Sequence, residues 1–165
     1  MPGVPRSARA VLLAEFSGFE KRVRAMARLH EKARLLMSTP AVGTIVSLTF
    51  ACAIDDPSRF TSSKQVGPYL GLTPKKYQSG QTDDTGRISR HGDASAREAL
   101  YEAAHLMLTK PIKGCSELKS WAMRIARRAG ANKAKVALAR KLAVIMLRTL
   151  KDNVPFNPAA KAATA

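Results

Sequence analysis

Cysteine, acidic residues, aromatic residues and long apolar runs are all scarce in this 165-residue chain, and each shortage narrows what it can do. The two cysteines, Cys52 and Cys115, lie far apart on predicted helices, form no CxxC pair, and have only three histidines with which to complete a zinc tetrahedron. A structural zinc site is thereby excluded, and both thiols are expected to be reduced and buried in a cytoplasmic protein. No run of about 18 apolar residues exists, and Met1-Pro2-Gly3-Val4-Pro5-Arg6 leads into a charged helix rather than an apolar signal core. Neither export nor a membrane partner is expected. Only 12 Asp and Glu stand against 28 Lys and Arg, which gives a formal charge of +16 and an isoelectric point near 10.6. Such a surface calls for a phosphate-bearing partner, nucleic acid by default. With 45% hydrophobic and 24% charged residues the chain should still pack a core, as one or two small domains.

What is present is mainly helical periodicity. Leu12, Phe16, Phe19, Val23, Met26, His30, Ala33 and Met37 follow a 4-3-4-3 spacing that predicts one long helix over residues 9–38, roughly 38 Å from end to end of the stripe. So narrow a seam wants a second helix, and we read residues 1–38 as a coiled-coil-like stalk through which copies of the chain would associate. Ser38-Thr39-Pro40 ends it. Pro40-Ala41-Val42-Gly43 then makes a tight connection into the apolar segment Thr44–Ala51, the outline of a helix-hairpin-helix, in which Gly43 and the helix start would hold a phosphate through backbone N–H groups. Ala41 stands where such a turn ordinarily has glycine, and its Cβ would penalise a positive φ.

Ser62-Ser63 can cap a short helix toward Leu70 that Gly67-Pro68 keeps bent or brief. A turn-rich, β-compatible stretch follows from about residue 72 to residue 92, long enough to be a functional loop or hairpin. Asp93 or Ser95, the latter with Glu98 as a capping box, starts a helix with Leu100, Ala103, Ala104, Met107 and Leu108 inward. Between Lys110 and Lys141 there are ten Lys and Arg and one acid, Glu117. Two basic amphipathic helices are predicted there, about Ser116–Arg128 and Asn132–Lys151, parted by Gly130. Arg124, Arg127 and Arg128 are candidates for tracking a nucleic-acid backbone. Residues 39–151 would form the main domain and 152–165 a frayed, disordered tail.

The segment most suggestive of chemistry runs from Gly71-Leu72-Thr73-Pro74 through Lys75-Lys76-Tyr77-Gln78-Ser79-Gly80 to Gly86-Arg87-Ile88-Ser89-Arg90-His91-Gly92-Asp93 and Arg97. It places Ser79 on a glycine-flanked turn in a stretch that carries Lys75, Lys76, Arg87, Arg90 and Arg97, the cations a phosphodiester reaction would use. His91 reads as a phosphate contact and His105 as a helix-surface or core residue. Asp83 and Asp84 read as turn residues rather than as a metal pair.

At Pro40-Ala41-Val42-Gly43, Phe60, Tyr69–Pro74, Ser79-Gly80, Gly86–Arg90, Gly92-Asp93 and Arg97 the chain resembles the C-terminal half of the insertion-sequence one-ten family of transposases, in order and spacing, across roughly residues 40–130. The resemblance implies a DNA recombinase built from a RuvC-like domain with a DEDD acid set, a coiled coil, and a helical domain carrying a serine, with a structured guide RNA as a partner in some members. It implies that Ser79 corresponds to the catalytic serine, that Gly80 permits the turn exposing its hydroxyl, and that Arg87, Arg90 and Arg97 hold phosphates. It places Mg2+ in the RuvC-like domain, and no αβ alternation or spaced acid tetrad of that kind precedes the predicted stalk. Ala41, Gly67-Pro68 and Ala96 depart from the family pattern.

The expected fold is therefore mainly α: a coiled-coil-like N-terminal helix, a helix-hairpin-helix core, a short irregular or β-hairpin loop and two basic C-terminal helices. The expected function is the DNA-binding, serine-bearing part of a transposase that is inactive alone. Two other readings stand beside it, a non-catalytic helix-hairpin-helix module that only binds nucleic acid, and an RNA-binding accessory protein with basic helices and few aromatics.

Overall fold

The computed structural model describes residues 6–79 and 82–158, and the side chains of residues 8–75 and 86–158. Its centre is the last helix. Labelled in chain order, the elements are α1 (Arg6–Leu29), α2 (Glu31–Leu36), α3 (Thr44–Ile54), α4 (Val66–Tyr69), β1 (Pro74–Ser79), β2 (Thr82–Ile88), α5 (Ala94–Thr109), α6 (Ser116–Ala129) and α7 (Ala131–Asp152), with 3-10 turns at Pro57–Arg59 and Ser63–Gln65. On α7, Ala134, Leu138, Ala139, Leu142, Ala143, Met146 and Leu147 are all buried, more than one face of a helix supplies. The reason is that α7 touches α2, α4, α5, α6 and both 3-10 turns. Its alanines, with Ala96, Ala103 and Ala104 of α5 and Ala122 of α6, let neighbouring helices approach closely while Leu100, Met107, Phe50, Ile54 and Leu36 fill the space between. The mainly α fold is as the periodicity predicts, and α6 and α7 begin and end within a residue of their predicted limits.

The N-terminal helix is not one run. His30 adopts extended angles (φ −86°, ψ 106°), and its Nδ1 accepts a hydrogen bond from the Ala33 N–H at 3.2 Å, so the imidazole caps a new short helix instead of continuing the seam. The Lys32 ammonium donates to the Asp55 carbonyl oxygen, which helps hold α2 against the end of α3. Ala33 and Leu36 are buried in the body, whereas among its described residues α1 buries only Ala27; Leu12, Phe16, Phe19 and Met26 are 58–67% exposed. Among the described residues no helix is long and apolar enough to cross a membrane.

Four further expectations change. Of the two starts read for α5, Asp93 holds, its carboxylate accepting from Ala96 N–H at 2.8 Å, and the Ser95–Glu98 capping box does not form. Asp83 and Asp84 are not turn residues: their backbones pair with Gln78 and Tyr77 in the two-stranded ladder. Cys52 is exposed, because it points off α3 away from the core face of Phe50, Ala51 and Ile54, while Cys115 is buried as expected. Residues 153–158 are not frayed, since Phe156 packs against the core and its N–H donates to Ser38 Oγ at 2.8 Å, tying the chain end to the turn after α2. The remainder of the expected tail, 159–165, lies outside the described residues.

Candidate nucleic-acid interface

The Tyr69–Thr73 and Ser89–Asp93 turns interlock at the root of the hairpin. Gly71 (φ +67°) and Gly92 (φ +80°) are left-handed, a conformation that glycine adopts without steric cost. A Cβ on Gly71 would lie 2.2 Å from the His91 carbonyl oxygen, and one on Gly92 2.0 Å from that of Tyr69. Each glycine therefore makes room for the other turn's backbone. Ser89 N–H donates to Thr73 O at 2.8 Å and Arg90 N–H to Gly71 O at 3.2 Å. From the first turns of α5, Arg97 Nη1 reaches Leu70 O at 3.1 Å and His91 O at 3.3 Å. Tyr69 is fixed in turn by its hydroxyl, which donates to Ala53 O at 3.1 Å, and by an edge-on contact with Phe60.

This root carries an arm. β1 and β2 pair antiparallel from Pro74–Ile88 to Ser79–Thr82, with an irregularity between Pro74 and Lys76. Ser79 is thus the last paired residue, at the tip, and at about 3.4 Å per residue it stands about 17 Å along the arm from Pro74. Lys75, Arg87, Arg90, His91 and Arg97 gather at the other end. The structure brings those five together and separates them from Ser79; Lys76 lies partway, opposite Thr85. Arg97 serves the backbone of both turns, a structural use of a residue expected to hold phosphate, whereas Arg87, Arg90 and His91 are exposed. The side chains of Lys76 and Ser79, and Gly80 altogether, lie outside the described residues.

A second basic region surrounds the turn before α3. Gly43 is the N-cap (φ −91°, ψ −173°), without a side-chain cap and with open space where a Cβ would stand, so the first N–H groups of α3 have no side-chain acceptor. Ala41 takes the strained left-handed angle expected of a glycine there, φ 65°. The turn lines an open groove of about 690 Å³ together with Arg24 of α1 and Lys113 of the α5–α6 loop. Thr39, also on its wall, is 2% exposed and its hydroxyl has no partner among the described residues. Arg24, Thr39 and Lys113 escaped sequence reasoning because elements far apart in the chain bring them together. Arg24 is engaged with Glu20 at 2.9 Å, the one salt bridge among the described residues.

The third region is the α6–α7 hairpin, turned at Gly130 (φ +90°). Arg124, Arg127 and Arg128 are exposed along α6 and, among the described residues, unpaired with any acid, so their charge is free for a polyanion. No group of three or more His, Cys, Asp or Glu among the described residues could hold a metal ion. Among the described residues there is therefore no donor set that fits the Mg2+ which the resemblance implies.

Residues 33–120, more than half the chain, match the family described as Transposase IS116/IS110/IS902. The chain belongs to this family. Among its relatives are the transposase for insertion sequence element IS1111A of Coxiella burnetii, 31% identical over 129 residues (78% of this chain, 35% of the relative), and a probable family 20 transposase of Pseudomonas aeruginosa, 26% identical over 147 residues (89% and 44%). The transposase for insertion sequence element IS1328 of Yersinia enterocolitica is 30% identical over 115 residues (70% and 34%). The chain spans roughly a third to somewhat under half of these transposases. The match to the transposase family runs from α2 through the first turns of α6, so it takes in the turn before α3, the interlocked glycine turns and the whole hairpin.

Proposed function

We propose that this chain is the DNA-binding, serine-bearing part of a transposase, and that Ser79 is the nucleophile of a composite active site completed by groups from outside these residues. The observation that carries the reading is the mounting of the hairpin: two reciprocal glycines, a backbone-clamping arginine and a helix cap hold its root, while the serine's backbone stands at the free end. A binding loop that only supplied charge would need no such root.

In the step proposed, Ser79 Oγ attacks the phosphorus of a DNA phosphodiester, an O–P bond to serine forms, and the bond from phosphorus to one sugar oxygen breaks. The leaving oxygen takes up a proton, and a hydroxyl of a second strand reverses the step to rejoin the DNA. Serine is a weak nucleophile, so a base and a stabilising positive field are required. The root cations stand too far along the arm to provide that field within one chain, which is why the site is composite. Arg124, Arg127 and Arg128, the groove at Gly43, the root cations Lys75, Arg87 and Arg90, and His91 beside them hold the DNA backbone. The exposed stripe of α1 pairs with a second copy, the Mg2+ belongs to the acid-bearing partner domain, and a structured guide RNA is an additional ligand of the basic surface.

The test is Ser79→Ala in a transposition assay with the acid-bearing domain supplied. Strand exchange should fall to background while DNA is bound as by the wild type, with an affinity that declines with salt by a log–log slope of about 0.9 per phosphate contact. Strand exchange that survives this substitution would leave the non-catalytic helix-hairpin-helix module as the correct reading, and a preference for RNA over duplex DNA at equal salt would favour the accessory RNA-binding one.

A further inference from the structure

We propose that the notch between α6 and α7 around Trp121 binds one unpaired base of a DNA strand, with the indole as stacking surface and Arg124 and Arg128 as the flanking phosphate contacts. Trp121 is the chain's one tryptophan. It is half-buried on the wall of a depression of about 400 Å³, with Ser116, Glu117, Ser120, Arg124 and Lys141 around it. The Lys141 ammonium lies 4.5 Å from the ring centroid, so the end of a flexible cationic chain sits over the indole. That cover is removable. A stacked base covers the whole aromatic face that the half-buried ammonium meets at one point, and the displaced ammonium can turn to the adjacent phosphate.

Helical spacing sets the direction of the strand. Positions 121, 124 and 128 fall on one face of α6, about 10 Å from first to last. Arg124 and Arg128 are exposed, and no acid neutralises either among the described residues. Glu117, on the N-terminal side of the notch, repels phosphate. The backbone therefore runs along the arginines with the base turned toward Trp121. A duplex cannot do this without unstacking, whereas breaking and rejoining strands leaves unpaired DNA beside the joint. The occupant is taken from the proposed DNA function; the site itself rests on the geometry of α6 and α7.

Trp121 emission reports this site alone. The chain is titrated with a single-stranded deoxyoligonucleotide of about 12 nucleotides, its annealed duplex, and RNA of the same sequence, at one salt concentration. The DNA single strand should quench the emission, and the duplex should bind without quenching. By anisotropy with labelled strands, Trp121→Phe should bind nearly as the wild type, and Trp121→Leu, which keeps an apolar side chain against the core, should lose roughly 10- to 100-fold for the single strand and nothing for the duplex. Single-strand binding unchanged in Trp121→Leu, equal quenching by duplex, or tighter binding of RNA would overturn the assignment. Duplex binding without any single-strand response sinks the notch alone; no binding of any DNA sinks the DNA reading with it.

Discussion

Replacing Gly71 by alanine tests whether the hairpin root is as tightly built as its geometry implies. An L-residue at φ +67° costs about 1–2 kcal/mol, and the added Cβ would stand 2.2 Å from the His91 carbonyl oxygen, a backbone atom that cannot simply rotate away. The two turns must part, which weakens the Arg90 N–H to Gly71 O bond (3.2 Å) and one of the Arg97 bonds to Leu70 O or His91 O (3.1 and 3.3 Å), at about 0.5–1.5 kcal/mol each. Alanine returns about 0.4–1 kcal/mol by restricting the unfolded chain. The net loss is about 1–4.5 kcal/mol, centred near 3, a fall in Tm of about 3–15 °C for a chain of this size. Circular-dichroism melts measure it, and limited trypsinolysis at Lys75, Lys76 and Arg87 reports whether the arm has come loose. Gly92→Ala should act alike, because its Cβ would meet Tyr69 O from the opposite side. Gly18→Ala, in mid-helix with nothing within 4 Å of the added Cβ, should instead stabilise by about 0.5–1 kcal/mol. A Tm for Gly71→Ala within about 2 °C of wild type would refute the interlocked root.

Other consequences can be measured as directly. Ala41→Gly removes the cost of φ 65° at the expense of chain entropy, so the urea midpoint should rise by an amount worth about 0.5–1 kcal/mol; a lower midpoint would show that the left-handed turn is misassigned. Phe16→Glu combined with Phe19→Glu puts charge on the exposed α1 stripe and, with the stripe pairing as proposed, should lower the mass by sedimentation from that of an oligomer to that of a monomer, while equal mass for both proteins would mean that the stripe does not pair. A maleimide near neutral pH should take one equivalent on Cys52 in the folded protein and a second only after denaturation. Cys115 is buried, its thiol donates to Ile112 O at 3.0 Å, and burial pushes its pKa upward, so reactive thiolate is scarce; native labelling there would contradict the packing under α6.

Much of the helical body was readable from residues taken in order. Where the apolar period is strong and its ends are marked, as at Gly130 between α6 and α7, local preference and tertiary packing agree, and the predicted limits stand within a residue. The same reasoning failed at His30, because the 4-3-4-3 stripe carries no record that an imidazole will turn back to cap the next helix. It also misjudged Asp83 and Asp84, whose turn-like chemistry gave way to cross-strand pairing with Tyr77 and Gln78. The turn at Gly43 was legible, but that Arg24, Thr39 and Lys113 join it in one groove was not, since separate elements meet there.

Charge, the helical class, the place of the hairpin and the motif order that marks the family were written in the linear chain, because each depends on composition or on residues a few positions apart. The tertiary structure alone decided that Gly71 and Gly92 are partners, that Arg97 spends its guanidinium on two backbone carbonyls, and that Phe156 returns to Ser38. It also set the serine at one end of an arm and most of the cations at the other. Nearness in sequence suggested a single cluster; an extended strand gains about 3.4 Å with every residue, and that rise carried Ser79 away from the arginines beside which it is written.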